Sequence, residues 1–140
     1  MEGGPQAPEF AKRIGLVSDS TKLKYRHGPL ALGFQTGPQH PIGRNFDKVR
    51  LHDESYWRMV GDADRIRVLG YGQEDGASQP LFWTLEPTRG RVFVSIPGHY
   101  SWTFDDPLYR TLLLRGIAWT AGEPVDRFNE LIMLGITPGD

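Results

Sequence analysis

The segment that follows Asp106 constrains the fold of this chain more than any other part. Pro107 has the fixed φ that suits the first position of a helix, and Asp105 or Asp106 can cap that helix. Gly122 and Pro124 then favour a stop. Large apolar side chains cover a broad surface of the helix between them: Leu108, Leu112, Leu113, Leu114, Ile117 and Trp119. A helix this apolar must lie against a sheet.

Alternating or apolar runs upstream predict the strands of that sheet. Residues 80–85 and 90–97 are separated by Glu86-Pro87-Thr88-Arg89, which is short enough for the connection of a β-hairpin. Residues 47–52 and 65–71 alternate polar and apolar side chains, as half-buried strands do. Two shorter runs are further strand candidates: residues 14–17 and 30–34.

The composition excludes several classes of partner and chemistry. The 140 residues carry 16 Lys+Arg and 17 Asp+Glu, so no basic face for nucleic acid is expected. No run approaches the ~18 apolar residues of a membrane span, and Met1–Pro5 lack a signal-peptide pattern, so we expect a soluble chain, cytoplasmic by default, with no membrane partner. The absence of cysteine excludes disulfides, thiolate metal sites and a cysteine nucleophile.

The distribution of residues predicts three segments. Residues 1–35 are rich in Gly and Pro and are predicted to be a loop-rich N-terminal segment. Residues 36–123 are predicted to form the core, and residues 124–140 a C-terminal tail. Within the core, residues 72–79 are predicted to be an acidic, flexible loop, and no convincing helix precedes residue 57.

Three short clusters carry the candidate chemistry. His40 lies in a Pro-flanked turn, while Asp53, Glu54 and Tyr56 follow the strand predicted over residues 47–52. The third cluster, His99 to Trp102, falls between a predicted strand and the apolar helix. Loops at strand ends are common ligand sites, and an imidazole can move a proton near neutral pH. A metal site using His40, Glu54 and His99 is not required by their spacing, so we expect no metal and no cofactor.

Each of these residues also has a plainer interpretation. His40 can simply close its turn, and Asp53 and Glu54 can serve as a helix cap and a solvated charge. His99 can donate to a loop carbonyl and only fix the loop. Tyr56 and Trp102 are aromatic side chains of the kind that packs in a core as well as against a sugar.

The order of the motifs resembles the trehalose-utilisation (ThuA-like) family over residues 36–123. The resemblance is carried by His40-Pro41-Ile42, by Asp53-Glu54-Ser55-Tyr56, and by Gly90-Arg91-Val92-Phe93 leading to Gly98-His99. It implies a flavodoxin-like, three-layer α/β fold similar to class I glutamine amidotransferases. An amidotransferase reaction is excluded because its cysteine is absent, and Ser101 stands where that family's glutamate would lie. The early β-α-β units are also missing, so we expect an N-terminally truncated domain with an exposed sheet edge, and either self-association through it or a marginally stable monomer.

Two classes of function remain open from the sequence. In the first, implied by the resemblance, the chain is an enzyme that acts on a carbohydrate or keto-sugar. Glu54 and His99 are then the acid/base pair, His40, Asp53 and Tyr56 contact the substrate, and Trp102 supplies a stacking face. In the second, the same residues form a non-catalytic module that binds a sugar or a partner chain, or belong to a domain fragment with no activity of its own.

Overall fold

The structure, a computed structural model, describes residues 7–34 and 39–135. Within this part of the chain there are two α-helices, α1 (Ala7–Ile14) and α2 (Pro107–Thr120). The strands are β1 (Leu16–Val17), β2 (Lys24–Phe34), β3 (Lys48–Trp57), β4 (Val60–Gly61), β5 (Arg67–Glu74), β6 (Ala77–Leu85) and β7 (Val92–Ser95). Four short 3₁₀ helices complete the described elements: Pro41–Gly43, Ala63–Arg65, Ser101–Asp105 and Asn129–Leu131.

Five strands form one curled antiparallel sheet in the order β3-β2-β5-β6-β7. Strands β1 and β4 pair separately as a two-residue antiparallel sheet. The chain is therefore a mixed α/β domain in which β6 and β7 form the hairpin that the sequence predicts. The β2–β3 ribbon is the longest pairing of the sheet, and its register determines which side chains meet in the candidate site.

The alternation of side chains along β6 divides the core between the two faces of the sheet. Phe82 faces α2, where it packs in one cluster with Tyr109 and Leu112. Trp83 faces the other way, packs with Leu16, and donates its indole N–H to the carbonyl of Ile14 at 2.7 Å. The sheet is thus covered by α2 on one face and by α1, β1 and β4 on the other.

Helix α2 begins and ends where the sequence predicts. Asp106, rather than Asp105, caps it by accepting the N–H groups of Leu108 and Tyr109, each at 2.9 Å. Gly122 follows the helix with a φ of 78°, a left-handed conformation that glycine adopts without strain. Neither this helix nor any other in the described residues is long and apolar enough to span a membrane.

Several expectations need correction. Every strand pairing in the described residues is antiparallel, whereas the flavodoxin-like fold implied by the resemblance has a parallel sheet. The first segment, expected to be loop-rich, contains α1 and the eleven-residue strand β2. Residues 72–79, expected to be a loop, belong to the β5–β6 hairpin, which turns at Asp75 and Gly76.

The predicted segment boundaries themselves stay predictions. Residues 1–6, 35–38 and 136–140, which fall in all three predicted segments, lie outside the described residues. Residues 129–131 form a short 3₁₀ helix inside the segment predicted to be a C-terminal tail.

Candidate active site

The register of the β2–β3 ribbon places a histidine directly beside the acidic residue of β3. His27 is the cross-strand partner of Glu54, and Tyr25 is the partner of Tyr56. Directly opposed residues of an antiparallel pair project from the same face with Cβ atoms ~5 Å apart. The sequence pattern predicts a strand that ends before Glu54, whereas Glu54 and Tyr56 lie inside β3. Their side chains are therefore aimed by the pleat of the strand and not by a loop.

Glu54 is a buried carboxylate that contacts two imidazole rings. Its Oε2 lies 2.9 Å from Nδ1 of His99, and its Oε1 lies 3.3 Å from Nε2 of His27. The phenol of Tyr56 donates a hydrogen bond to Oε2 as well. A carboxylate that is only 3% exposed needs such partners, because burying an unpaired charge is very unfavourable.

The tyrosine in this cluster remains protonated. Burial, followed by the hydrogen bond to Glu54, raises the pKa of Tyr56 well above its usual value of 10. The phenol therefore acts as a hydrogen-bond donor over the whole physiological range of pH. Oε2 of Glu54 therefore accepts two hydrogen bonds, one from the phenol of Tyr56 and one from Nδ1 of His99.

The two histidines of the cluster differ in which ring nitrogens are used. His27 uses both, since Nε2 faces Glu54 and Nδ1 lies 2.5 Å from the hydroxyl of Tyr100. His99 uses Nδ1 for Glu54, while its Nε2 has no hydrogen-bond partner among residues 7–34 and 39–135. A neutral imidazole that donates through Nδ1 carries its lone pair on Nε2. His99 is thus the ring whose second nitrogen is not engaged within the described cluster.

Asp53 holds the loop that carries His99. Its carboxylate accepts the backbone N–H of Gly98 and of His99, each at 3.0 Å, and the hydroxyl of Thr103. Gly98 has a φ of 127°, and a Cβ there would lie 2.7 Å from the hydroxyl oxygen of Tyr109, so this turn requires glycine. Asp53 is 0% exposed, which keeps it from touching a substrate. It positions the loop instead.

The cluster opens into a cleft of about 560 Å³. His27, Glu54, Tyr56 and His99 line it, and the side chains of the two histidines are each 47% exposed. A volume of this size lies within the range of small-molecule sites. The buried acid and the two accessible imidazoles therefore belong to one concave site.

Two residues predicted for the site lie elsewhere. His40 is buried on the α2 side, where its Nδ1 accepts the N–H of Ile42 at 3.3 Å and its ring packs edge-on against Trp119 at 4.9 Å. This placement fits the plainer interpretation, in which His40 closes its turn. Trp102 does not line the cleft but stacks on Tyr100 at 4.2 Å and donates to the carbonyl of His52.

Three further residues belong to the site but were not predicted: Tyr25, His27 and Tyr100. His27 carries no local signal, because it stands in a Gly-Pro-containing strand whose register only pairing with β3 reveals. Tyr100 follows His99 in the chain, and no pattern in the sequence indicates its contact with His27. In the part of the chain that the structure describes, no three His, Cys, Asp or Glu side chains are grouped so as to hold a metal ion.

Fold and site together define a mixed α/β domain with a buried carboxylate that contacts two imidazoles. The family model described as trehalose utilisation (ThuA) matches residues 14–120, and the chain belongs to this family. The match extends from the end of α1 to the end of α2 and contains every residue of the cluster. No curated protein matches the chain.

Proposed function

We propose that this ThuA-family domain is an acid–base enzyme that moves a proton beside the ketone of a keto-sugar. The observation that carries the proposal is the 2.9 Å contact between the buried carboxylate of Glu54 and Nδ1 of the half-exposed His99. A carboxylate in this position orients the imidazole, selects its tautomer and stabilises the imidazolium that forms when Nε2 accepts a proton.

The reaction needs only one base that can return its proton. Nε2 of His99 takes the proton from the carbon beside the ketone, the C–H electron pair forms a C=C bond, and the carbonyl electron pair moves onto oxygen. For isomerisation, the proton of the neighbouring hydroxyl moves to the former carbonyl oxygen, and His99 returns its proton to the former carbonyl carbon. For epimerisation, the intermediate turns over in the cleft before His99 returns the proton to the opposite face of the original carbon. No net oxidant or second substrate is consumed.

The other residues of the cluster support this one base. Glu54 acts through His99 and does not itself meet the substrate, because it is buried and both its oxygens are engaged. Tyr56 and His27 hold that carboxylate, and Asp53 holds the backbone of His99. In this proposal Tyr25, which is 60% exposed at the cleft, offers a ring face to the sugar.

Glycoside hydrolysis by two carboxyl groups receives no support from this geometry. Such enzymes place two carboxyl groups across the bond, ~5–10 Å apart. Among the described residues that line the cleft, Glu54 is the one acidic residue. The neighbouring Asp53 projects to the other face of β3 and is fully engaged with the 98–103 segment.

Hydrogen exchange tests the proposed step without knowledge of the final product. The protein is incubated in D₂O with a methyl glucoside that carries one ring ketone, and NMR follows deuterium incorporation beside the carbonyl. We expect catalysed exchange in the wild type, a loss of at least 100-fold in His99→Ala, and a loss of at least 10-fold in Glu54→Gln.

His52→Ala is the matched control, because His52 is an exposed histidine of β3 that does not line the cleft. It should exchange at the wild-type rate. Exchange that persists in His99→Ala contradicts the proposal. Binding of the keto-sugar without any catalysed exchange in the wild type favours the non-catalytic module instead.

A further inference from the structure

The charged groups around the cleft restrict the ligand. Lys and Arg are absent from the described residues that line it, and the acidic member of that lining is the buried Glu54. A phosphate or carboxylate on the ligand would enter beside this carboxylate with no Lys or Arg of the described lining to receive it. Sites that hold phosphate groups normally provide Arg, Lys or a helix N-terminus.

The two walls of the cleft differ in polarity. The wall formed by β2 and β3 presents His27, Glu54 and Tyr56. A second wall comes from β1 and the connections after β1 and β3, and its lining residues are apolar apart from Ser18: Leu16, Val17, Leu23 and Met59. A free monosaccharide carries hydroxyl groups around its whole ring. Those that lie against this second wall would lose their hydrogen bonds to water and find no partner there.

We propose that the ligand of this cleft is an uncharged glycoside with an apolar aglycone, its sugar ring beside His99 and its aglycone against the wall of Leu16, Leu23 and Met59. This inference rests on the proposed function, since it assigns the substrate class of the same site. Each methylene of the aglycone that is buried on this wall strengthens binding by up to about four-fold.

Calorimetric titration of the wild-type chain with three probes tests the proposal. The probes are methyl β-glucoside, hexyl β-glucoside and glucose 1-phosphate. We expect hexyl β-glucoside to bind at least ten-fold more tightly than methyl β-glucoside, and glucose 1-phosphate to give no measurable heat. The proposal is overturned by equal affinity of the two glucosides, by tighter binding of the phosphate, or by no binding of the hexyl glucoside.

Substitutions at Leu23 connect the selectivity to the apolar wall. Leu23→Gln should reduce the preference for the hexyl chain at least three-fold, whereas Leu131→Gln, at a 40% exposed leucine outside the cleft, should leave it unchanged. Leu23→Lys adds the missing cation and should produce measurable binding of glucose 1-phosphate. Equal behaviour of Leu23→Gln and Leu131→Gln contradicts the assignment of the wall.

The binding experiment tests the ligand class and the exchange experiment tests the acid–base step, so either proposal can fail without the other. Selective binding of the hexyl glucoside without catalysed exchange removes the enzyme proposal and leaves the ligand class standing. Catalysed exchange on a keto-sugar, with no preference for the apolar aglycone, removes the ligand class and leaves the acid–base step standing.

Discussion

Asp53 and Glu54 are adjacent in the chain, yet they perform different tasks because successive side chains of a strand project to opposite faces. Glu54 faces the cleft, where it contacts His99 and His27. Asp53 faces the other way and binds the backbone of Gly98 and His99. One pair of acidic residues thus supplies both the group that polarises an imidazole and the group that fixes the loop carrying it.

Replacement of Asp53 by asparagine tests the second task. The amide keeps the size of the side chain but offers one acceptor oxygen where the carboxylate offers two, so a buried N–H loses its partner. We expect Asp53→Asn to lower the free energy of unfolding by about 2–3 kcal/mol in urea titrations. The NMR signals of the His99 ring should shift too, because the backbone of that residue is released.

Asp64→Asn is the control for this substitution, since Asp64 is exposed on the short 3₁₀ helix Ala63–Arg65 and does not line the cleft. It should change the free energy of unfolding by less than about 0.5 kcal/mol. If Asp53→Asn has the same free energy of unfolding as the wild type, the hydrogen bonds of Asp53 do not hold the loop.

His40 makes stability depend on pH. Burial, assisted by the positive charge of Arg67, lowers the pKa of His40 below its usual value of 6.5. Below that pH the unfolded chain binds a proton that the folded chain does not, so the free energy of unfolding falls with falling pH. The stability that His40 contributes is fully present above pH 6.5 and decreases as the pH falls toward its folded-state pKa.

His40→Asn removes this titration but keeps an acceptor for the N–H of Ile42. Between pH 7.5 and pH 5.5, urea titrations should show a smaller loss of unfolding free energy in this variant than in the wild type. The contribution of one titrating group to that loss cannot exceed about 1.4 kcal/mol per pH unit. His52→Asn, at an exposed histidine, should retain the wild-type dependence. Equal pH dependence in His40→Asn and the wild type would contradict this account.

At the scale of elements, α2 and β7 approach each other closely at a single glycine. A Cβ on Gly116 would overlap the ring of Phe93, which lies in β7. A mid-helix glycine costs a helix about 1 kcal/mol relative to alanine. The close approach explains why the helix contains one at this position.

Gly116→Ala therefore has two opposite effects on stability, and they differ in size. The gain in helix propensity is about 1 kcal/mol, while overpacking of the helix–sheet contact costs about 1–3 kcal/mol, and we expect a net loss of stability in thermal unfolding. Gly116→Ala combined with Phe93→Leu should recover part of that loss, because the smaller side chain makes room for the methyl group. A stabilising Gly116→Ala would show that the contact is looser than the structure has it.

The β5–β6 hairpin turns at an Asp-Gly pair, a local sequence signal for a tight turn. Asp75 and Gly76 have φ values of 52° and 74°, the left-handed conformations of a two-residue hairpin turn. The Asp-Gly pair was visible in the sequence, but the acidic and glycine-rich surroundings favoured a loop interpretation. The β6–β7 hairpin was predicted correctly, since its two strands are strongly apolar on both sides of a short connection.

At the scale of the whole molecule, Arg115 joins three distant segments. Its guanidinium donates to the carbonyl of Arg44 at 2.9 Å and contacts the carboxylate of Asp126 at 3.1 Å. It connects α2 to the Pro41–Gly43 turn region and to the segment after α2. No local pattern indicates these contacts, because the partners lie 71 and 11 residues away along the chain.

Arg115→Lys tests whether the fork shape of the guanidinium matters. The lysine ammonium cannot make both contacts with the geometry of arginine, so we expect the free energy of unfolding to fall by about 2 kcal/mol. Arg89→Lys, at an exposed arginine, should have almost no effect. Equal stabilities of the two variants would show that Arg115 contributes only its charge.

Self-association through a sheet edge remains a proposal at this scale. Strand β3 is an outer strand, and the indole of Trp102 donates to the carbonyl of His52 on it. The exposed Lys48 and Arg50 flank the other half of β3 and repel a second copy, so association should strengthen with added salt. Light scattering over a range of protein and salt concentrations checks this. A mass that stays monomeric throughout counts against it.

Much of the outline could be predicted without coordinates. The capped helix α2, the β6–β7 hairpin and the family all depend on residues close together in the chain or on the order of short motifs. Capping, turn formation and strand alternation are local effects, so the local sequence determines them.

Only the tertiary structure decided how these parts meet. The antiparallel order of the sheet, the pairing of His27 with Glu54, and the bond from Asp53 to a loop 46 residues later depend on long-range packing. A shift of one residue in the β2–β3 register would move Glu54 away from His27, and no short segment of the chain encodes that register. Residue types thus specify which chemistry is possible, and the packing of distant strands determines which of those residues touch.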